Sequence, residues 1–184
     1  KAHQVSAVAA DLPALMHAGT RVVTMQNGIP WWYFHKIPGE LSQPYLGKPV
    51  QAVDPDGNIA KHIPFDSVIG SVVYPASEVI RPGVIKVIEG NRFTLGEIDG
   101  SDTPSIRAIS DAFKAAGFKA PVSNDIRSEI WLKVWGNLSF NPISALTHAT
   151  LEDICVYPAT RELAANMMAE AQNIGAKLGV QFKV

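Results

Sequence analysis

Lys133, Asn137 and Asn141 recur every fourth residue in EIWLKVWGNLSFNPISALTHAT. On a helix that spacing places them on one face, spread over roughly 80° of arc and about 12 Å of axis. Ile126, Ile130, Val134 and Phe140 fall in or beside the same sector. A cation and two carboxamides among large apolar groups need partners, because burying them unpaired costs several kcal/mol. Two readings meet that need. In one, the three side chains cap loops or pair with other helices inside a structural core. In the other, they line a cleft for a small anionic or carbonyl ligand, and Lys133 donates a proton to it.

The elements that would position this stripe can be read outward from it. Pro121 through Asp125 marks a change of character, and everything beyond reads as helical. A long apolar helix is expected from about Ile126, interrupted near Pro142, where the ring removes a backbone donor. A short turn follows Thr150. A helix from about Thr160 to Leu178 then presents Leu163, Met167, Ala171, Ile174 and Leu178 on one face, with Gly179 as terminator. The Met167/Met168 pair reads as core filler. Glu152 and Asp153, just after Thr150, read as first-turn helix charge.

Before the boundary the pattern is mixed. Val5, Val8, Leu12, Leu15 and Met16 recur at helical spacing, with Pro13 as a kink or restart and Gly19 as the stop. Arg21 to Met25 is a short β-rich run that ends in Gln26-Asn27-Gly28. A helix, a strand and a polar turn form the repeating unit of a doubly wound sheet, whose ligands bind beyond the carboxyl ends of the strands. Asn27 would lie there, although Asn-Gly is by itself ordinary turn chemistry.

Residues 29–66 are rich in Pro, Gly and aromatics and read as a long surface excursion. Trp31, Trp32, Tyr33 and Phe34 are too many large apolar groups to leave in water. They either anchor the excursion to the fold or wall a binding cleft or subunit contact. Val68–Tyr74, Val84–Glu89 and Arg92–Leu95 read as strands, the last two joined across Gly90-Asn91 as a hairpin. Asp102-Thr103-Pro104 opens a helix that Gly117 closes.

Composition narrows the functions available. The 184 residues carry a formal net charge of −1 with scattered basic residues, which argues against nucleic acid or an anionic membrane surface as partner. No apolar run approaches the roughly 20 residues that span a bilayer. Cys155 is the only cysteine, so no internal disulfide can form; a reducing cytoplasm fits, with Cys155 as a small buried hydrophobe. The sequence has no G-x-G-x-x-G, P-loop or G-x-S-x-G. His3, His17, His35, His62 and His148 show no metal-ligand spacing and read as surface or satisfied core residues, so no metal is expected. The opening KAHQVSAVAADLPALMHAG lacks an initiating Met and the close LGVQFKV follows a helix stop, so the chain is expected to be an interior piece of a longer protein.

Taken jointly, LKVWGNLSFNPISALT after NDIRSEIW, QNGIP after a strand, KAHQV at the opening and the PGVI hairpin resemble the ketopantoate (2-dehydropantoate) 2-reductases along essentially the whole chain. The resemblance implies an α/β then all-α architecture. Residues 1–123 would be the later part of a Rossmann-type domain without its glycine-rich loop, and residues 124–184 the first helices of a helical C-terminal domain. It also implies reduction of a 2-oxo acid by NADPH in the cleft between them. Lys133 matches the family's catalytic lysine, the general acid at the ketone oxygen. Asn137 and Asn141 match substrate-binding asparagines, and Asn27 matches the asparagine facing cofactor and substrate. Lys1 matches a second active-site lysine that contacts both. The glycine-rich loop, the 2′-phosphate selector and the family's later serine and glutamate have no counterpart in these residues.

The implied partner is a small 2-oxo acid, with neither nucleic acid nor membrane, and a homodimer is compatible with it. Two rival readings stand beside this one. The first is a reductase of the same fold acting on another 2-oxo acid. The second is a non-catalytic helical module for dimerisation or ligand binding.

Overall fold

The computed structural model describes residues 1–37 and 40–182, and the side chains of 40–42 fall outside that description. Pro38 and Gly39 of the aromatic excursion, and Lys183 and Val184 of the closing run, therefore lie outside the described residues. Helix α1 (Val5–Ala9) gives way to a 3-10 turn over Leu12–Leu15, so Pro13 restarts the chain instead of merely bending it. Strand β1 (Val22–Thr24) follows. Short helix α2 (Asn58–His62) precedes β2 (Val68–Val73). Asp54 caps α2 from a buried position, its two carboxylate oxygens each accepting at 3.0 Å from the Ile59 and Ala60 backbone N–H groups.

Strands β3 (Ala76–Arg81) and β4 (Val84–Glu89) form one hairpin, and β5 (Phe93–Glu97) returns to the main sheet. That sheet has the order β1-β2-β5, with β1 and β2 parallel and β2 and β5 antiparallel. The expected hairpin across Gly90-Asn91 is thus corrected. Val84–Glu89 pairs backwards with Ala76–Arg81, which makes the PGVI run a hairpin as the resemblance implies, although sequence reading missed Ala76–Arg81 as its first strand, while Phe93–Glu97 pairs with Val68–Val73. The turn at Pro82-Gly83, where Gly83 has φ 77, is a left-handed site that glycine adopts without steric cost. It outcompetes Gly90-Asn91 because β5 has a better partner: its Leu95 and Gly96 enter the buried sheet.

Helix α3 (Pro104–Ala115) is capped by Thr103, whose hydroxyl accepts from the Ile106 N–H. It covers one face of the sheet through Ile106, which joins Ile69 and Leu95 in a buried cluster. The opposite face receives α4 (Ile126–Thr147), α5 (Leu151–Val156) packs against the far end of α4, and α6 (Pro158–Lys177) runs alongside it. From Ile126 onward all the regular elements of the described residues are helical.

Four helical expectations change. Pro142 lies inside an uninterrupted α4, because Ile143 is buried with Ile154 and Ala164 and that packing outweighs the lost hydrogen bond. The chain after Thr150 is a helix, with Thr150 and Asp153 in a capping box, which agrees with reading Asp153 as first-turn charge. On α6 the buried face is Ala164, Ala171 and Gly175, whereas Leu163 and Ile174 are exposed. Small residues win because this face is crowded: a Cβ on Gly175 would meet the Phe182 ring, from the chain after α6, at 2.8 Å and the Trp131 ring of α4 at 3.5 Å. Cys155 is exposed and therefore not the buried hydrophobe expected of it, because its neighbour Ile154 takes the inward position on α5.

The aromatic excursion is no surface loop at its start. Trp31, Trp32 and Tyr33 are almost wholly buried, as anchors to the fold.

Candidate functional site

The placement of α4 begins with two glycines. Gly70 on β2 and Gly96 on β5 are partners across the antiparallel pair, and Ile126 seats on both. A Cβ on Gly96 would stand 2.6 Å from the Ile126 Cβ, and one on Gly70 would stand 2.9 Å from the Ile126 Cγ1. No residue larger than glycine lets the helix approach the sheet so closely.

Beside this seat Arg127 is buried and extends its guanidinium to three backbone carbonyls, those of Tyr33, His35 and Ile98. One turn on, the Trp131 indole donates to the Tyr33 hydroxyl at 2.7 Å. Burial pushes that phenol up to about 12, against the smaller opposing effects of Trp131 and Arg127. On the sheet side the Trp32 indole donates at 3.3 Å to the hydroxyl of Thr24, the last residue of β1. Trp32 and Tyr33 therefore join the sheet to α4.

The direction of α4 follows from its contacts. It starts over Gly70, and Lys133 donates its ammonium to the carbonyl of Val73, the last residue of β2. From Ile126 to Lys133 the helix rises about 10 Å, and from Gly70 to Val73 the strand rises about 10 Å. Helix and strand thus advance together, and Lys133 stands at the carboxyl end of β2. Asn137 and Asn141 are carried past it. Because β1 runs parallel to β2, with Thr24 opposite Gly70, Asn27 leaves the sheet at that same end.

Lys133 is half-buried, and burial holds its ammonium below the ordinary lysine range. Its Nζ also lies 5.4 Å from the centre of the Tyr74 ring. Asn137 is half-buried, Asn141 exposed and Asn27 exposed. Of the three stripe residues, only Lys133 has a side-chain hydrogen bond among the described residues. The apolar members of the sector divide: Ile126, Ile130 and Val134 pack over the sheet, and Phe140 joins the cluster under α5 and α6.

A crevice beside β1 is lined by Gln26, Asn27, Gly28, Trp31 and Ala2, which sets the exposed Lys1 at its margin. The Trp31 indole N–H is buried with no hydrogen-bond partner among the described residues. Sequence reading missed Tyr74, Arg92, Glu129 and Arg127. Glu129 and Lys133 do stand at helical i,i+4 spacing, but only the fold shows what lies between them. Among the described residues no His/Cys/Asp/Glu group could hold a metal ion, and no helix is long and apolar enough to cross a membrane.

Comparison with known proteins extends this geometry. Residues 125–184 match the family described as ketopantoate reductase PanE/ApbA C terminal. The 2-dehydropantoate 2-reductase of Mesorhizobium japonicum is 51% identical over 184 residues, which is 100% of this chain and 55% of that protein. A crystal structure from Ralstonia solanacearum MolK2 that carries the ketopantoate reductase name superposes with a TM-score of 0.94 at 40% identity, covering 100% of this chain and 56% of that one. D-mandelate dehydrogenase in complex with NADH shares the fold at a TM-score of 0.77 and 16% identity, over 100% of this chain and 53% of its own. The chain thus spans about half the length of the relatives it matches.

Proposed function

This chain belongs to the ketopantoate reductase family, and from that premise we propose that the whole protein reduces 2-dehydropantoate to pantoate with NADPH. The observation that carries the reading is the common sheet end at which Lys133 meets Val73 and the chain leaves β1 toward Asn27. In a doubly wound sheet that end is where ligands bind.

The chain offers the exposed Asn27 carboxamide beyond β1, a group able to hydrogen-bond the carboxamide of a nicotinamide ring. When bound, the reduced cofactor supplies the hydride that goes to C2 of the 2-oxo acid. The chain's own residues do the rest. Negative charge develops on the ketone oxygen, and the Lys133 ammonium stabilises it and then gives it a proton, leaving a neutral amine that water reprotonates. Burial favours this transfer by making the ammonium a stronger acid than an exposed lysine. Asn137 and Asn141 supply donors and acceptors for the hydroxyl and carboxylate of the substrate. Lys1, beside the Asn27 crevice, offers a second cation to the substrate carboxylate or to the cofactor.

Two domains meet at this site, a partial dinucleotide-binding unit over residues 1–123 and a partial helical unit over 124–184. A reducing cytoplasm suits the reaction, and Cys155 as the only cysteine leaves no internal disulfide to maintain. The test is NADPH oxidation by the intact protein in the presence of ketopantoate. No turnover of ketopantoate beside good turnover of another 2-oxo acid would overturn the named substrate and leave the reaction class standing.

A further inference from the structure

A lysine on a helix is a point charge on a long flexible stem, and the helix fixes only its Cα. Something else must fix Nζ. In this protein two groups do so, and they belong to consecutive residues. The Val73 carbonyl accepts from Nζ, and the Tyr74 ring lies 5.4 Å from it, within cation–π reach.

The peptide joining Val73 to Tyr74 is itself held. Its N–H donates to the Arg92 carbonyl at 3.0 Å, and a trans peptide points its carbonyl the opposite way, toward Lys133. Arg92 acts a second time through its guanidinium, which lies 5.1 Å from the centre of the same Tyr74 ring. That guanidinium pairs with Glu129 at 3.7 Å, and Glu129 stands one helical turn before Lys133 on α4. The connection closes on itself, from α4 through Glu129, Arg92 and Tyr74 back to Lys133 on α4. It ties the ammonium to the sheet end independently of substrate.

We propose that Tyr74 is a positioning residue for Lys133, its ring face holding the ammonium at the carboxyl end of β2, with Arg92 and Glu129 fixing the ring. This rests on the reading of Lys133 as proton donor. The hydroxyl neighbours the Glu129 carboxylate, but the ammonium asks only for a ring face, so phenylalanine should largely serve and an aliphatic side chain should not.

The intact protein is assayed with NADPH and the 2-oxo acid it turns over best, as wild type, Tyr74→Phe, Tyr74→Leu, Lys133→Ala and the Tyr74→Leu/Lys133→Ala double variant. Tyr74→Leu is expected to lower kcat about tenfold with KM nearly constant, the scale of one cation–π contact and a displaced catalytic group. Tyr74→Phe is expected to restore kcat to within about twofold. In the Lys133→Ala background, Tyr74→Leu is expected to cost nothing further, because groups acting through one another are non-additive. Full additivity of the two substitutions overturns the proposal, as does a Phe variant as impaired as Leu. Either result leaves Lys133 as the proton donor. If Lys133→Ala itself leaves kcat unchanged, the functional reading falls and the proposal falls with it.

Discussion

Lys133 donates to the carbonyl of Val73, so a side chain of the helical segment ends on the terminal residue of a sheet strand. This contact bears on the two readings open to the stripe, because the partner of Lys133 lies on the sheet and not on another helix. Among the described residues the hydrogen bond of Lys133 goes to a strand end, and Asn137 and Asn141 form no side-chain hydrogen bonds. We propose the ligand-facing reading, with a half-buried cation at the strand end and two carboxamides that have no partner among the described residues.

Replacing Lys133 by alanine in the intact protein should lower kcat by about 10²–10⁴, the usual contribution of general acid catalysis. Folding should change little, since the side chain is only half-buried. Unchanged kcat with a lower melting temperature would show that the lysine serves the fold.

If Lys133 is the proton donor, its acid form is the active one and kcat should fall as pH rises through its pKa. Burial disfavours the charged form and lowers that pKa from the ordinary 10.5, so the basic limb should begin below the range of an exposed lysine. A kcat–pH profile measures this. A basic limb that persists unaltered in Lys133→Ala would assign it to another group.

Gly96→Ala tests the seat of α4. The added Cβ would lie 2.6 Å from the Ile126 Cβ and 2.9 Å from the Ser123 carbonyl oxygen, with sheet backbone on one side and helix start on the other. Overpacking of this kind costs about 1–3 kcal/mol. A denaturant melt of the intact protein should show it, and an unmoved midpoint would mean that α4 shifts freely on the sheet.

Arg127→Leu should be among the most damaging single changes. It leaves the carbonyls of Tyr33, His35 and Ile98 without their buried donor, a loss of about 3 kcal/mol or more for a charged group with several hydrogen bonds. Arg127→Lys should not restore stability, because an ammonium cannot reproduce the planar fork. Equal stability of the Lys variant and the wild type would reduce the role of Arg127 to charge alone.

Asn137→Ala should raise KM for the 2-oxo acid by about 2–10-fold, the worth of one neutral hydrogen bond, with little change in melting temperature. A lower melting temperature with unaltered KM would return Asn137 to the core.

Much of this was legible in local pattern. The spacing of Lys133, Asn137 and Asn141 is a property of helix geometry, so their common face could be read before any partner was known. Thr103-Pro104 with Gly117, and Thr150 with Asp153, carried their own start and stop chemistry. The β run ending at Asn27 announced a strand and a turn. Pairing was another matter. Val84–Glu89 beside Gly90-Asn91 is locally as good a hairpin arm as it is beside Pro82-Gly83, and only the place of β5 against β2 chooses between them. Pro142 breaks a helix in isolation, but the burial of Ile143 keeps it whole. Glu129 shares α4 with Lys133 at i,i+4 spacing, but Tyr74 and Arg92 flank β2 and β5, and no spacing rule relates either to the lysine. Their meeting depends on Gly70 and Gly96 facing each other across two strands, so that α4 lies close enough for Lys133 to reach the strand end. Side-chain periodicity is set within a helical turn, whereas that approach distance is set by atoms far apart in sequence. This is why the sequence disclosed the candidate proton donor and only the tertiary structure disclosed what holds it.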